Sequence, residues 1–481
     1  MSDLESSRVT RRSFVRAGLA STLFLGLSLR EVSASGGSKL PNILLFLADD
    51  LGQEDLGCYG NRACTSPNID KLCHEGVRFD NAFTMIAACT PSRSSLYTGM
   101  YPHSNGAYGF NPIRPGIKTL PHLMRRAGYY TGLIGKVHVE PLEQFPFDYL
   151  VPHILLIHGR DIKLYEAAVK NFFHTAGNRP FCLLVPFVDP HRAYPKDARN
   201  PHDPAKVQLP PYLPDIPPVR EDFARYYDAI RRLDDGVGLV LKQIRRSGHE
   251  DNTIVLFTSD HGAAMPYAKA NCYDAGIRVP FIVRLPGVTA PGSRSDALIG
   301  FIDILPTLLD VAGAEIPAAV QGKSFSPVLR GQSAVHHDAV FGYHTTTWNN
   351  TCEYPIYPMR AIRTQRYKYI VNLLAPTYYE AVDGTTLNSP TYKAMKELAK
   401  TNQEFAAQMD TFSNRPQEEM YDLRKDPHEM NNLADDPSCA ELKAQLRNRL
   451  KQHMRETNDP FDIDRPELCH EWFEAEGKKQ K

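Results

Sequence analysis

Four short apolar runs stop at ionisable side chains: Ile43–Leu47 at Asp49-Asp50, Thr131–Ile134 at Lys136 and His138, Phe181–Val188 at Asp189 and His191, and Thr253–Phe257 at Asp260-His261. Runs of this length, carrying β-branched residues and bounded by polar clusters, read as strands buried on both faces. Between them, stretches such as Phe223–Arg246 place apolar residues at helical spacing. Strands alternating with helices predict an α/β fold with a mostly parallel sheet sandwiched by helices. Ligands of such sheets bind outside the carboxyl ends of the strands. Four separate strands are therefore expected to deliver ionisable residues to one edge.

After about residue 335 the pattern changes. Val340–Tyr343, Arg360–Arg363 and Tyr367–Val371 read as short antiparallel strands, and Ser438–Thr457 as a late amphipathic helix. The expected organisation is a main domain over 39–335 and a smaller C-terminal α+β domain over 336–481. The proline-rich stretch Pro195–Pro218 reads as a surface excursion at the rim of a cleft. A hydrophobic content of 42% supports a large core and excludes a disordered chain. Lys+Arg and Asp+Glu are both 55, so no bulk positive charge recruits nucleic acid. After residue 30 no apolar run approaches the ~20 residues of a membrane-spanning helix. Nine cysteines are too sparse for a disulfide scaffold and too scattered for a cysteine zinc motif.

The first 34 residues stand apart. Thr10-Arg11-Arg12-Ser13-Phe14-Val15-Arg16 precedes the apolar run Ala17–Leu29, and Val32-Ser33-Ala34 offers a cleavage site. This resembles a bacterial twin-arginine export signal. It implies the Tat export machinery as a partner, a mature chain beginning near Ser35, and a periplasmic or secreted location. The other reading is a buried amphipathic helix. Export permits disulfides without requiring them.

The paired acids come next. Asp49-Asp50 and Asp260-His261, each at a strand end, could supply three carboxylates and an imidazole to a hard divalent cation. Calcium accepts six to eight ligands, mostly oxygen, in flexible geometry. An Asp-Asp pair is also an ordinary turn or helix cap, so on these residues alone both readings stand.

Cys89-Thr90-Pro91-Ser92-Arg93, followed by Leu96-Tyr97-Thr98-Gly99, resembles the signature of the type I sulfatases, members of the alkaline phosphatase superfamily. There Cys-x-Pro-x-Arg marks a cysteine that a maturation enzyme oxidises to formylglycine. The resemblance implies a hydrated aldehyde at position 89, one hydroxyl attacking sulfur to give a sulfo-enzyme intermediate and the other expelling sulfate. A plain thiol has no such exit. It further implies calcium bound by Asp49, Asp50, Asp260 and His261, with the formylglycine from Cys89 as another ligand. Many members carry Asn at the His261 position, so an imidazole there could instead hydrogen-bond the sulfate. Arg93 matches the arginine that holds the diol. Lys136 and His138 match a Lys-x-His pair, the lysine on sulfate oxygen and the histidine assisting the diol. His191, in Asp189-Pro190-His191-Arg192, matches the histidine on the leaving-group side, and Lys269 a late cation on the sulfate.

Within that family, five stretches resemble the sulfamidase (N-sulfoglucosamine sulfohydrolase) branch. They are Asn105–Gly109, Asp189–Arg192, Tyr357–Arg360, Tyr421–Leu423 with Asp426–Glu429, and Glu456–Pro460. The implied substrate is a sulfated saccharide, first of all the N-sulfate of glucosamine in heparan-type glycans. Departures from that branch are His261 and Lys269, where it has Asn and Arg, together with Pro195–Pro218 and the insertion-like Thr345–Glu353. The alternatives are a carbohydrate O-sulfatase, a phosphodiesterase or phosphonate hydrolase of the same superfamily, and a non-enzymatic sulfated-glycan binding protein, which would not need Cys89.

Overall fold

The strand that organises the molecule is β1 (Asn42–Asp49), buried along its whole length. Leu44, Phe46 and Ala48 enter one hydrophobic cluster while Ile43, Leu45 and Leu47 enter another. The period-two alternation of a strand thus presents apolar side chains to both faces, and both must be covered. Helices Ile162–Ala176 and Pro217–Arg246 cover the first face through Tyr165, Val169, Phe223 and Ile230. Helices Cys89–Thr98, Leu120–Arg126 and Ile304–Val311 cover the second through Leu96, Met124 and Leu308. This computed structural model describes residues 40–346, 356–375 and 384–479. The export-type segment 1–34, and 347–353 of the insertion-like stretch, lie outside the described residues.

The strands that follow are β2 (Val77–Phe79), β3 (Ala82–Phe83), β4 (Tyr130–Gly135), β5 (Tyr149–Pro152), β6 (Phe181–Pro190), β7 (Thr253–Ser259), β8 (Phe281–Arg284), β9 (Ser293–Ser295) and β10 (Ile299–Gly300). Seven of them join β1 in one eight-stranded sheet in the order β5-β4-β6-β1-β7-β8-β2-β9, and β3 pairs with β10. From β5 to β7 every neighbouring pair is parallel, and β8 alone runs against its neighbours β7 and β2. The four runs read from the sequence are β1, β4, β6 and β7. They are consecutive in the sheet as β4-β6-β1-β7, so their carboxyl ends lie side by side.

A second, antiparallel sheet follows in chain order: β11 (Ala339–Thr346), β12 (Ile356–Thr364), β13 (Tyr367–Asn372) and β14 (Glu418–Asp422). Three of these strands match the sequence expectation. The fourth was not expected, because Glu418-Glu419-Met420-Tyr421-Asp422 is rich in residues disfavoured in strands; pairing with β13 makes it one. The late helix runs Ala440–Glu456, close to the expected span. The long helix begins at Pro217 rather than Phe223, since prolines at the first helical positions lose no internal hydrogen bond. The stretch before it contains a short 3-10 helix, Pro204–Lys206, and a turn in which the Leu213 amide donates to the Pro210 carbonyl at 3.0 Å.

Arg360 of β12 joins distant segments. Fully buried, it donates to Asp459 Oδ2 at 2.6 Å and Oδ1 at 3.0 Å, and its guanidinium lies 4.8 Å from the Phe461 ring centroid. Burial would raise the Asp459 carboxyl, but Arg360 outweighs it and holds it below the ordinary value. A carboxyl depressed in the folded state stabilises above its unfolded pKa of about 3.9 and loses that contribution as pH falls further. Arg360→Ala leaves a buried carboxylate unpaired and is expected to cost about 3–5 kcal/mol, read as a lower urea midpoint at pH 7.

Candidate active site

Parallel strands that end side by side leave a shelf, and the local backbone turns the next residues onto it. Asp50 follows β1 in the left-handed region at φ 68°, which aspartate tolerates better than most side chains. Gly135 ends β4 at φ 133°, where a Cβ would lie 1.9 Å from the Pro186 carbonyl. That close approach lets the Lys136 amide donate to Pro186 O at 2.8 Å, locking the residue to β6.

Cys89 opens helix Cys89–Thr98, every residue of which is buried. Ala88 provides no side-chain cap, so the helix's first amides and its positive dipole end lie at the cysteine. Arg93 is four residues on and shares the cysteine's helix face. Ser92 Oγ donates to the Asp260 carbonyl at 2.6 Å, tying the helix to the end of β7.

The side chains converge as follows. Cys89 Sγ lies 3.4 Å from Asp49 Oδ1, 3.2 Å from His261 Nε2 and 3.7 Å from Lys269 Nζ. Arg93 pairs with Asp260 Oδ2 through Nε at 2.9 Å and Nη2 at 2.8 Å. Lys136 Nζ donates to Asp49 Oδ2, and Lys269 Nζ to Asp50 Oδ1 at 2.8 Å. His261 Nε2 stands 3.3 Å from Asp50 Oδ1 and 3.6 Å from Asp260 Oδ1. His191 Nε2 is 3.8 Å from Asp50 Oδ2, an atom with no hydrogen-bond partner. All these groups except His191 are buried; the His191 side chain is 22% exposed.

Electrostatics follows from that packing. Burial would raise Asp49 and Asp50, but the surrounding cationic side chains together, led by Lys136 at Asp49 and by Lys269 at Asp50, hold both below the ordinary carboxyl value. Burial would also lower Lys136, yet Asp49 raises it. His261 resists burial through Asp260 and Cys89 and is held at about 9. His138 goes the other way: burial, then Lys136 and Arg93, push it down to about 4.

Asp49, Cys89, Asp260 and His261 offer ligand atoms within 4.8 Å of one another, and Asp50 borders them. Asp49, Asp50 and Asp260 are balanced by Arg93, Lys136 and Lys269. An added dication would therefore leave the pocket net positive, which suits an anionic group with charge on several oxygens. Ligation by His261 would displace its proton, coupling metal binding to proton release. A hard dication fits the three carboxylates and the unsatisfied Asp50 Oδ2.

Nine of the ten sequence candidates, Asp49, Asp50, Cys89, Arg93, Lys136, His191, Asp260, His261 and Lys269, meet in this contact network. His138 stands at its margin, its ring stacked 5.3 Å from Phe110 and its buried Nδ1 without a hydrogen-bond partner. Sequence reading missed Arg160. It donates to the His191 carbonyl at 2.9 Å and, with Arg232, holds Asp189, so Asp189 anchors the loop. Its position before a helix gives no signal of that role. The proline-rich excursion supplies Gln208–Tyr212 to a cavity of about 550 Å³ beside Gly52 and Met265, and Cys89 does not line it.

Comparison with known proteins agrees with this arrangement. A family model described as Sulfatase matches residues 41–314, and one described as N-sulphoglucosamine sulphohydrolase, C-terminal, matches 262–411 and 408–456. Human N-sulphoglucosamine sulphohydrolase is 33% identical over 87% of this chain and 91% of its own. An ulvan-active sulfatase of Formosa agariphila is 33% identical over 86% of this chain and 80% of its own. An N-acetylglucosamine-6-O-sulfatase of Bacteroides thetaiotaomicron is 25% identical over 92% of each. Among solved structures, a phosphonate monoester hydrolase of Agrobacterium radiobacter shares the fold, with TM-score 0.66, 19% identity, and 87% and 96% of the two chains covered. A mostly parallel sheet gathering Cys89, its paired acids and three buried cations, matched across more than half its length by the family model, places the chain in the sulfatase family.

Proposed function

We propose that this sulfatase removes sulfate from a sulfated sugar, first of all the N-sulfate of a glucosamine in heparan-type glycans, using formylglycine at position 89 and one bound calcium ion. The observation that carries the reading is Cys89 at a helix N-terminus with Arg93, Lys136 and Lys269 around it. Likeness to N-sulphoglucosamine sulphohydrolase, over most of the chain and in its C-terminal part, supports the N-sulfate. Formylglycine at position 89 would supply a hydrated aldehyde, an oxygen nucleophile toward sulfur. Asp49, Asp50, Asp260 and His261 would hold the calcium. Lys136, Lys269 and Arg93 surround the sulfuryl oxygens with fixed positive charge. His138, uncharged at neutral pH, can accept a proton from a hydroxyl at position 89. His191, whose side chain is 22% exposed, gives a proton to the departing atom.

A second reading, a sugar O-sulfate, is favoured by the 6-O-sulfatase relative. The deciding experiment compares kcat/KM on N-sulfated glucosamine, 6-O-sulfated glucosamine, an aryl sulfate and a phosphodiester. Preference for N-sulfate is expected. Preference for 6-O-sulfate would overturn the substrate, preference for the phosphodiester would move the chain to the phosphodiesterases, and no turnover by modified protein would leave a binding protein.

Residues 1–34 are proposed to direct twin-arginine export and to be removed. Arg11→Lys with Arg12→Lys should leave precursor in the cytoplasm. Cell fractionation checks this, and a normal periplasmic yield would refute it. Among the described residues no helix is long and apolar enough to cross a membrane.

A further inference from the structure

Asp303 lies three residues after β10, at the start of helix Ile304–Val311, and is buried. Its Oδ1 accepts from the Lys323 amide at 2.9 Å and its Oδ2 from the Gly300 amide at 2.7 Å, so the carboxylate is fixed in direction. The segment that enters β11 crosses back over it. There the backbone of His337 bridges to Leu298, which brings His337 Nε2 to 2.9 Å and His336 Nε2 to 3.3 Å from Asp303 Oδ2. The three ligand atoms lie within 4.8 Å of one another. The His336 side chain is only 7% exposed, and its Nε2 is buried without a hydrogen-bond partner. It approaches the carboxylate closely but at the wrong angle, as donors do when they converge on a common atom rather than on each other.

We propose that Asp303, His336 and His337 form a second metal site, suited to zinc or a similar transition ion, that clips the segment entering the antiparallel sheet to the segment that follows β10. Two imidazoles and one carboxylate, with water as fourth ligand, are a set zinc accepts; at bonds of 2.0–2.1 Å its tetrahedral ligands stand about 3.3 Å apart. Two nitrogen donors disfavour calcium and magnesium, which take oxygen. The amides on Asp303 are the outer contacts that orient a metal ligand. The His337 side chain, 21% exposed, leaves a path for the ion.

The test uses untagged protein, stripped with chelator, reloaded with zinc and dialysed, with zinc counted by mass spectrometry. Wild type should retain one more zinc per chain than His336→Gln/His337→Gln. Any metal at the Cys89 site is common to both and cancels in the difference. Zinc should raise the Tm of wild type by more than that of the variant, and cobalt(II) should give wild type alone the extra visible absorption of a four-coordinate ion. Sulfate hydrolysis should be unchanged. If the double variant does not fold, His337→Gln alone, at the more exposed side chain, replaces it in the same comparison. Equal zinc retention with equal zinc-dependent Tm shifts would overturn the proposal and leave a metal-free His–Asp strap.

Discussion

Cys89→Ala is expected to fold and to lose turnover by on the order of 10⁴-fold or more, the loss that follows removal of a nucleophile acting within a cooperating set. The side chain is 2% exposed, and its polar contacts are with Asp49, His261 and Lys269. Deleting one buried sulfur leaves a small void worth ~1 kcal/mol, far from unfolding the chain. Circular dichroism and the urea midpoint should therefore stay near wild type while kcat collapses. The companion measurement is the mass of the peptide spanning position 89. Conversion of thiol to aldehyde makes it about 18 Da lighter, as expected for a side chain that must become the nucleophile. Fully active enzyme bearing only unmodified cysteine would refute the assignment, and so would an active Cys89→Ala.

His191→Ala carries the second large effect. An amine leaves poorly unless protonated as its bond to sulfur breaks, so N-sulfate cleavage needs an acid at nitrogen. Loss of a general acid typically costs ~10²–10⁴-fold in rate. The His191 ring is placed for that task by the Arg160 bond to its carbonyl, with Nε2 toward Asp50. The loss should appear in kcat/KM on the sulfamate and be much smaller on an aryl sulfate, whose phenolate leaves without a proton. Equal losses on both substrates would remove His191 from the acid role and leave it a binding residue.

The sulfamidase-like stretches show how a sequence resemblance divides once the chain is folded. Glu456–Pro460 and Tyr357–Arg360 meet through the Arg360–Asp459 pair, and His103, just before Asn105–Gly109, reaches the Thr457 carbonyl at 3.2 Å. These stretches hold distant segments together. Asp189–Arg192 divides within itself: Asp189 is clamped by Arg160 and Arg232, Arg192 by Asp222 at 2.7 Å, and His191 alone points to the acids.

Strand identity was legible because a strand buried on both faces must be apolar along most of its length, and β1, β4, β6 and β7 each carry a continuous apolar run. Their shared edge was legible because parallel strands joined by helices point the same way. The common face of Cys89 and Arg93 was not legible in this way, since it depends on the helix Cys89–Thr98 that the structure shows. Contacts between segments far apart in the chain were not legible. The spatial order β4-β6-β1-β7, the strand character of Glu418–Asp422, the grip of Arg160 on His191 and the meeting of Asp303 with His336 and His337 depend on partners dozens to hundreds of residues away. Local periodicity carries no information about such partners. Which residues could act was therefore determined by the sequence, and which of them face one another was decided by packing, where burial without a partner is too costly for a charge to stand alone.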